Sequence, residues 1–564
     1  MFNYDSINIM KISNHINRSV AFMAILLTLG TGSCTDHFDE LNTPRAQLTV
    51  EQMDASMVGF AFAEAQHFGM RAWYQGNNLF AGEYSQFHAI IHPNFASANF
   101  NGPGSWLNLL MEGFYSNTSY GAAANQLDLV LKTTAAKNLK AENALAKVWK
   151  VALYHRQTDY FGPIIYSNFG NGKTSVAFDS QKDIYYDFFK ILDEAAVDLR
   201  AANPAVKIFP ISGGSHDLVY DGNVLKNLKF LNSLRLRLAM RISYVEPAKA
   251  KQEAEKAMSA PEGVIISNAD NALSKVKVDG TNVNKLSTIT YISEFVLSST
   301  LASLMNGYED PRIPVYTQPC CGRLTPASAS FGGLVGFRNG NPPGQRGTNL
   351  DLQYSYVGKK WLPINNGGTN EPDHIMEAAE VFFLRAEGAL RGWNMGGTAQ
   401  QLYNEGIKAS LKFRTNISDA AIDAYVNSTK LPAKPLDRFG NPDARNSPPV
   451  TDIPVKYDVA GSFERQLEQI ITQKWLALFP MNDTEAWAER RRTGYPRGYA
   501  IIQSDNPALT RTQLVRRLIY PPNSYSTNKA ATEAALALLG GPDTYATRLW
   551  WDAKPLASYP TPTD

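Results

Sequence analysis

The stretch "SQKDIYYDFFKILDEAAVDL", Ser180 to Leu199, decides the fold class. Ile184, Phe188, Ile191, Leu192, Ala195 and Leu199 recur at helical spacing and fall on one face, while Asp187, Lys190, Asp193 and Asp198 fall elsewhere. A 3.6-residue apolar period of this length predicts an amphipathic helix rather than a strand. Ser180, with Asp183 three residues on, predicts a capping box at its start.

The same period recurs on both sides. Leu145, Val148, Trp149, Ala152 and Leu153 form a face that ends at Gly162-Pro163. Ile375, Ala379, Phe382, Phe383, Ala386 and Leu390 form another. Leu467, Ile470, Ile471, Trp475 and Leu478 form a further one, closed by Phe479-Pro480. "LKNLKFLNSLRLRLAMRIS", Leu225 to Ser243, alternates locally, yet its length favours a helix. Sequential helix pairs with Ala at crossing points read as tetratricopeptide-like units without a strict period, because long irregular inserts separate them. The predicted fold is mostly α, a scaffold of such pairs carrying a loop-rich face.

Composition narrows the rest. Across 564 residues, hydrophobic residues make up 44% and charged residues 19%, ordinary for a chain that buries a core. A formal net charge of +2 argues against nucleic acid, which attracts strongly basic surfaces. Residues 1–33 read as a signal peptide: Lys11 and Arg18, an apolar run from Val20 to Leu29, then Thr31, Gly32 and Ser33. The run is shorter than the roughly 20 residues a membrane-spanning helix needs. Met10 opens a more ordinary signal, with residues 1–9 an over-extended start. Cys34 follows the small residues at the place where a bacterial lipoprotein is cut and acylated; the other reading is an ordinary signal with an incidental cysteine. The remaining thiols, Cys320 and Cys321, are adjacent and would close only a strained ring.

Two segments break the helical pattern, residues 68–120 and a mid-chain block within 290–372, both rich in Gly, Asn and aromatics. Loops this long inside a compact protein are usually functional or disordered, and their aromatic content argues against disorder. Trp73, Tyr74, Asn77, Trp106, Tyr291, Phe331, Phe337, Arg338 and Trp361 are the candidate ligand-binding residues there. Aromatic faces stack on the apolar faces of sugars, while Asn and Arg offer hydrogen bonds to ring hydroxyls. Each aromatic taken singly also fits a core role.

Other constellations point away from chemistry. His88 and His92 are four apart, but HExxH needs Glu where Ala89 stands, and no third ligand is evident, so no metal or other cofactor is expected. "GNGKTS", Gly170 to Ser175, lacks the first Gly of a phosphate loop and a following helix, and reads as a turn. Glu485 and Glu489 would lie side by side on a helix with Arg490, Arg491 and Arg492, which would keep them ionised. That is poor general-acid chemistry; the segment reads as structural, and no catalytic residue is assigned.

Several stretches, in order along nearly all of the mature chain, resemble the SusD/RagB family of outer-membrane nutrient-binding lipoproteins. They are "CTDHFDELNTP" (Cys34 to Pro44), "WKVALYHRQTDYFGPIIYS" (Trp149 to Ser167), "DGNVLKNLKFLNSLRLRLAMRIS" (Asp221 to Ser243), "LMNGYEDPRIPVYTQP" (Leu304 to Pro319), "AAEVFFLRAEGALRGW" (Ala378 to Trp393), "ITQKWLALFPMNDTEAWAERRRTGYP" (Ile471 to Pro496) and "VRRLIYPPNSYSTN" (Val515 to Asn528). The resemblance implies one domain over residues 34–564, with the ligand face built from the inserts near 68–120 and 290–372. It implies lipidation at Cys34, and Asp36, Asp39 and Glu40 as an address to the outer face of the outer membrane. It implies a non-catalytic role, binding an oligosaccharide for a SusC-type TonB-dependent transporter. Two alternatives stay open: a peptide ligand, which some relatives take, and a secreted all-α glycoside hydrolase, whose carboxylate pair no motif marks.

Overall fold

A computed structural model of the chain describes residues 55–70, 75–116, 122–173, 175–275, 286, 294–318, 333–347, 350, 353–362, 367–369, 371–436 and 447–564. The signal segment, Cys34, the acids after it, Cys320 and Cys321 lie outside the described residues.

The first half runs α1 (Ala55–Met70), α2 (Gly104–Tyr115), α3 (Ala123–Ala136), α4 (Lys140–Phe161), α5 (Gln181–Ala201), α6 (Val224–Arg241) and α7 (Pro247–Met258). The second runs α8 (Ser299–Tyr308), α9 (Ala378–Leu390), α10 (Ala399–Arg414), α11 (Asp419–Val426), α12 (Phe463–Leu478), α13 (Asp483–Thr493), α14 (Pro522–Thr527) and α15 (Lys529–Leu539). Each helix from α3 to α6 packs on its successor, α9 packs on α10, and α12 and α6 both pack on α9. The fold is therefore mostly α, built from consecutive helical pairs, as the periodicity predicts.

The founding stretch shows why. Ser180 Oγ accepts the Asp183 N–H at 3.1 Å and donates to the Asp183 carboxylate at 2.6 Å, which closes the first turn of α5. Ile184, Phe188, Leu192, Ala195 and Leu199 are fully buried, while Val197 on the other face is exposed. Burying each large side chain stabilises by about 1.5–3 kcal/mol, so Leu192→Ala would cost about 2–5 kcal/mol. At the end of α4, Gly162 adopts φ 85°, a left-handed conformation that favours glycine, and the following Pro163 cannot continue the helix.

Two expectations about secondary structure need correction. Ile375 is not on α9; it lies in the strand Asp373–Met376, which pairs with Ala272–Ser274. Extended backbone at Glu377 separates this strand from the helix. The segment 68–120 is also not wholly irregular. Leu107, Leu110, Met111 and Phe114 are spaced i, i+3, i+4, i+7 and form the buried face of α2.

The joint where α4, α6, α9, α12 and α13 meet is ionic. Arg241 on α6 pairs with Asp159, Glu485 and Glu489. Arg492 holds Glu387 at 2.6 Å and Glu489 at 2.6 Å. Lys474 reaches Glu485 at 3.2 Å, and Arg237 forks onto Glu380 with two 2.7 Å bonds. All of these side chains are buried. Burial would push Glu485 up, but Arg241, Lys474 and Arg237 hold it well below the usual carboxylate range. The charges are thus structural ties between helices, and Glu485 cannot retain a proton to donate.

Candidate site on the insert face

The insert that follows α1 is held down residue by residue. Its first element is a π-helix, Gln75–Gly82. Asn78 Nδ2 donates to Asp483 Oδ2 on α13 at 2.9 Å. A Cβ on Gly82 would come within 2.8 Å of that carboxylate and 2.7 Å of the His88 ring, so only glycine permits this approach. Gln86 Nε2 donates to the Tyr499 carbonyl at 2.7 Å, and its Oε1 accepts from Thr300 Oγ1 at 2.6 Å. The strand His88–Ile90 then pairs antiparallel with Phe295–Leu297.

That pairing brings the two inserts together. Asn339 Nδ2 donates to the His88 carbonyl at 2.7 Å. Arg346 Nη1 donates to the carbonyls of His92 (3.0 Å) and Phe95 (2.8 Å), and its Nη2 to Asn99 Oδ1 at 3.1 Å. The C-terminal segment joins as well: Asn506 Nδ2 donates to the Phe100 carbonyl at 2.9 Å, and the Asp505 N–H to the Asn99 carbonyl at 3.0 Å.

The outer layer of this assembly is aromatic. The His92 ring stacks on Phe95 at 4.1 Å with 19° between planes. Phe95 meets Trp106 edge-on at 4.8 Å, and Trp106 meets Phe80 edge-on at 5.7 Å. His92, Phe95 and Trp106 are each partly exposed, whereas Phe80, Tyr84 and Phe100 beneath them are buried. Asn94 and Asn101 are exposed in the stretch that carries this cluster, and Gln345 is exposed at the end of the turn Pro343–Gln345 in the other insert. Flat rings partly open to solvent can stack on a sugar ring, and exposed amides can hydrogen-bond its hydroxyls.

The floor under this face carries several titratable groups whose charge burial suppresses, beside the cationic Arg346. Burial pushes Glu83 up to about 8, against hydrogen bonds from Asn339 and the Ile90 N–H. Burial pushes Glu294 up to about 7 and lowers His88 to about 3. His92 is lowered by burial and by the neighbouring Arg346. At neutral pH Glu83 is therefore mainly protonated and the two histidines neutral, while the Arg346 guanidinium keeps its charge.

The predicted site residues divide into three groups. Trp73, Tyr74, Tyr291 and Phe331 lie outside the described residues, and Asn77 falls on the π-helix, where only its backbone is described. Trp106 is in the aromatic layer. Phe337, Arg338 and Trp361 are corrected: they are interior. Phe337 packs edge-on to Tyr354 at 4.8 Å within a buried cluster, and Trp361 is 1% exposed beside Tyr316. Arg338 Nε donates to the Ala500 carbonyl at 2.9 Å, its Nη1 to Ser447 Oγ at 2.7 Å, and its guanidinium lies over Tyr499. Sequence reasoning missed His92 and Phe95 as stacking rings. The "HPNF" run, aromatic beside Pro and Asn, was the available signal. His88 and His92 do not share a helix: one lies buried in a strand, the other at the surface. Among the described residues no group of His, Cys, Asp and Glu could hold a metal ion.

A family profile described as SusD and RagB outer membrane lipoprotein matches residues 40–552. The chain belongs to the SusD-like family. Among solved structures it is similar to a chitin-binding SusD homologue from Flavobacterium johnsoniae at 34% identity, with TM-score 0.77, over 88% of this chain and 99% of that one. A SusD homologue from Bacteroides thetaiotaomicron shares 30% identity, TM-score 0.74, over 88% and 99%. One from Bacteroides ovatus shares 30%, TM-score 0.75, over 89% and 100%. Among curated proteins no match is found. SusD-like proteins are thus a family of outer membrane lipoproteins, and no described helix of this member is long and apolar enough to cross a membrane. The SusD-like framework accounts for the ordered motifs.

Proposed function

We propose that this SusD-like lipoprotein binds a neutral oligosaccharide at the face built by the two inserts and passes it to a SusC-type TonB-dependent transporter, without chemistry of its own. The observation that carries the reading is the stack His92–Phe95–Trp106, partly open to solvent. The chitin-binding homologue from Flavobacterium johnsoniae makes oligomers of N-acetylglucosamine the first ligands to try. Trp73, Tyr74, Asn77, Tyr291 and Phe331 belong to the same proposal as further contributors from the inserts. The anchor is acyl chains on Cys34, since several chains, at about 0.8 kcal/mol per buried methylene, hold where one alone is marginal. The protein then faces the cell exterior.

The test is titration calorimetry of the purified protein against chitohexaose, cellohexaose and maltohexaose, with product analysis after long incubation. Binding of one glycan with no cleavage supports the reading. Affinity only for peptides, or release of shorter sugars, overturns it. The anchor has its own test: Cys34→Ala should leave exported protein in the soluble fraction, and continued sedimentation with membranes after a high-salt wash would refute it.

A further inference from the structure

A cavity of about 330 Å³ lies away from the aromatic layer, at the far end of α2. Met111, Glu112, Tyr115 and Ser116 from α2 form one wall. The loop after Pro163 supplies Ile165, Phe169 and the turn Gly170–Lys173, and then Val176 and Phe178. Ser524 and Thr527 of α14, with Asn528, close the third side. This turn is the "GNGK" run, and no helix follows it until Gln181, so it does not form a phosphate loop.

The walls are fixed without any ligand. Tyr115 donates its hydroxyl to the Ile165 carbonyl at 2.7 Å. Asn528 Nδ2 donates to the Val176 carbonyl at 2.8 Å. Asn523 Nδ2 donates to Glu112 Oε2 at 3.0 Å, and Lys132 Nζ reaches the Gly170 carbonyl at 3.3 Å. Such a preformed concavity, apolar inside with a few placed polar groups, is the usual form of a small-molecule site. Its volume sits at the low end of the roughly 300–1,000 Å³ such sites span, room for one ring or substituent rather than a chain.

The lining selects the chemistry. Met111, Ile165, Val176 and Phe178 make the interior apolar, and Phe169 leans on Tyr115 at 5.4 Å between centroids. Hydroxyl groups alone gain nothing from such an interior, because burying them without partners is costly; a methyl group gains. The rim offers an acceptor in Glu112 and donors in Lys173 and Asn171, so no single charge is favoured. A neutral group with an N–H, a C=O and a methyl cap matches all three requirements.

We infer that this cavity is a second sugar subsite, which takes one acetamido-bearing hexose with its acetyl methyl in the apolar interior. The inference rests on the glycan reading of the insert face and names its ligand class. At 1.5 Å rise per residue, Glu112 lies about 9 Å along α2 from Trp106, so the two contacts are separable by mutation.

The experiment is saturation-transfer NMR on the full-length protein in detergent, with N-acetylglucosamine and chitohexaose, alongside calorimetry with chitohexaose. Ser116→Trp fills the mouth of the cavity, and Phe169→Ala removes one wall. Melting temperatures identify any variant that does not fold, and the two cavity variants back each other. The expected result is a high ratio of acetyl-methyl to ring-proton transfer in the parent, which falls in both cavity variants, with chitohexaose affinity down roughly tenfold. Unchanged methyl transfer in both folded cavity variants overturns the subsite and leaves the glycan reading standing. A parent that binds cellohexaose or maltohexaose but no acetamido sugar overturns the ligand class alone. A parent that binds no glycan at all overturns the subsite and the reading together.

Discussion

The helical joint and the floor of the insert face bury ionisable groups to a similar depth and treat them in opposite ways. At the joint, Glu485, Glu489 and Glu387 each meet a buried cation, and the carboxyl of Glu387 is held down at about 2 by Arg492 and Arg391 against the opposing effect of burial. Under the face, Glu83 meets amides and a more distant Arg346, and burial leaves it at about 8. His88 meets Asp483 only at 3.7 Å, and burial pushes Asp483 well above the usual carboxylate range. Burial alone therefore does not fix charge; the nearest counter-ion does. The joint uses charge to lock five helices in register. Under the face, Glu83 and His88 give up their charge, with no counter-ion in hydrogen-bond contact to hold it.

Removing a counter-ion from the joint should show the largest effect. Arg241→Met leaves Asp159, Glu485 and Glu489 buried without a partner they share, and such losses cost about 3–5 kcal/mol. Urea denaturation should show a large fall in the midpoint, and a fall under 1 kcal/mol would mean the network is dispensable. Trp361→Ala belongs nearly in the same range, about 3–5 kcal/mol as a core truncation. Its melting temperature should fall while any surviving folded protein keeps its glycan affinity; the converse result would return Trp361 to the ligand face.

Glu83→Gln sharpens the contrast through pH. The folded pKa of Glu83, about 8, lies above its ordinary 4.5. Its protonated form favours the fold, so that contribution is fully present below about pH 4.5 and is lost as pH rises through about 8. Glu387 runs the other way: its contribution is present above 4.5 and is lost as pH falls through about 2. Stability of the parent between pH 5 and 9 should therefore decline more steeply than that of Glu83→Gln, by a few kcal/mol across the range. Parallel curves would show that Glu83 is ionised in the fold. The smallest effect is expected at the surface. Trp106→Ala should lower glycan affinity by up to roughly tenfold, the worth of about 0.5–1.5 kcal/mol for a stacking ring, with a nearly constant melting temperature. A large thermal shift with full affinity would make Trp106 a core residue too.

Much of the scaffold was legible because helix signals are local. Ser180 capping Asp183, the stop at Gly162-Pro163 and the long apolar face to Leu199 each lie within a few residues of the atoms they affect. The face was legible only as a region. Phe337 and Trp361 look in sequence like Trp106, aromatics among Gly, Asn and Pro, and nothing local tells which of them faces solvent. The i, i+3, i+4, i+7 pattern of α2 was present in the chain but masked by its Gly- and Asn-rich flanks.

By itself the sequence determined the helical class, the ordered motifs that mark the family and the structural reading of the Glu485–Arg492 segment. It did so because periodicity, capping and motif order are properties of neighbours along the chain. Only the tertiary structure decided which aromatics form the open layer and which acids stay protonated. Both depend on contacts across hundreds of residues, such as His88 paired opposite Leu297 and Asn78 bonded to Asp483. Exposure and local dielectric exist only once those distant segments have met.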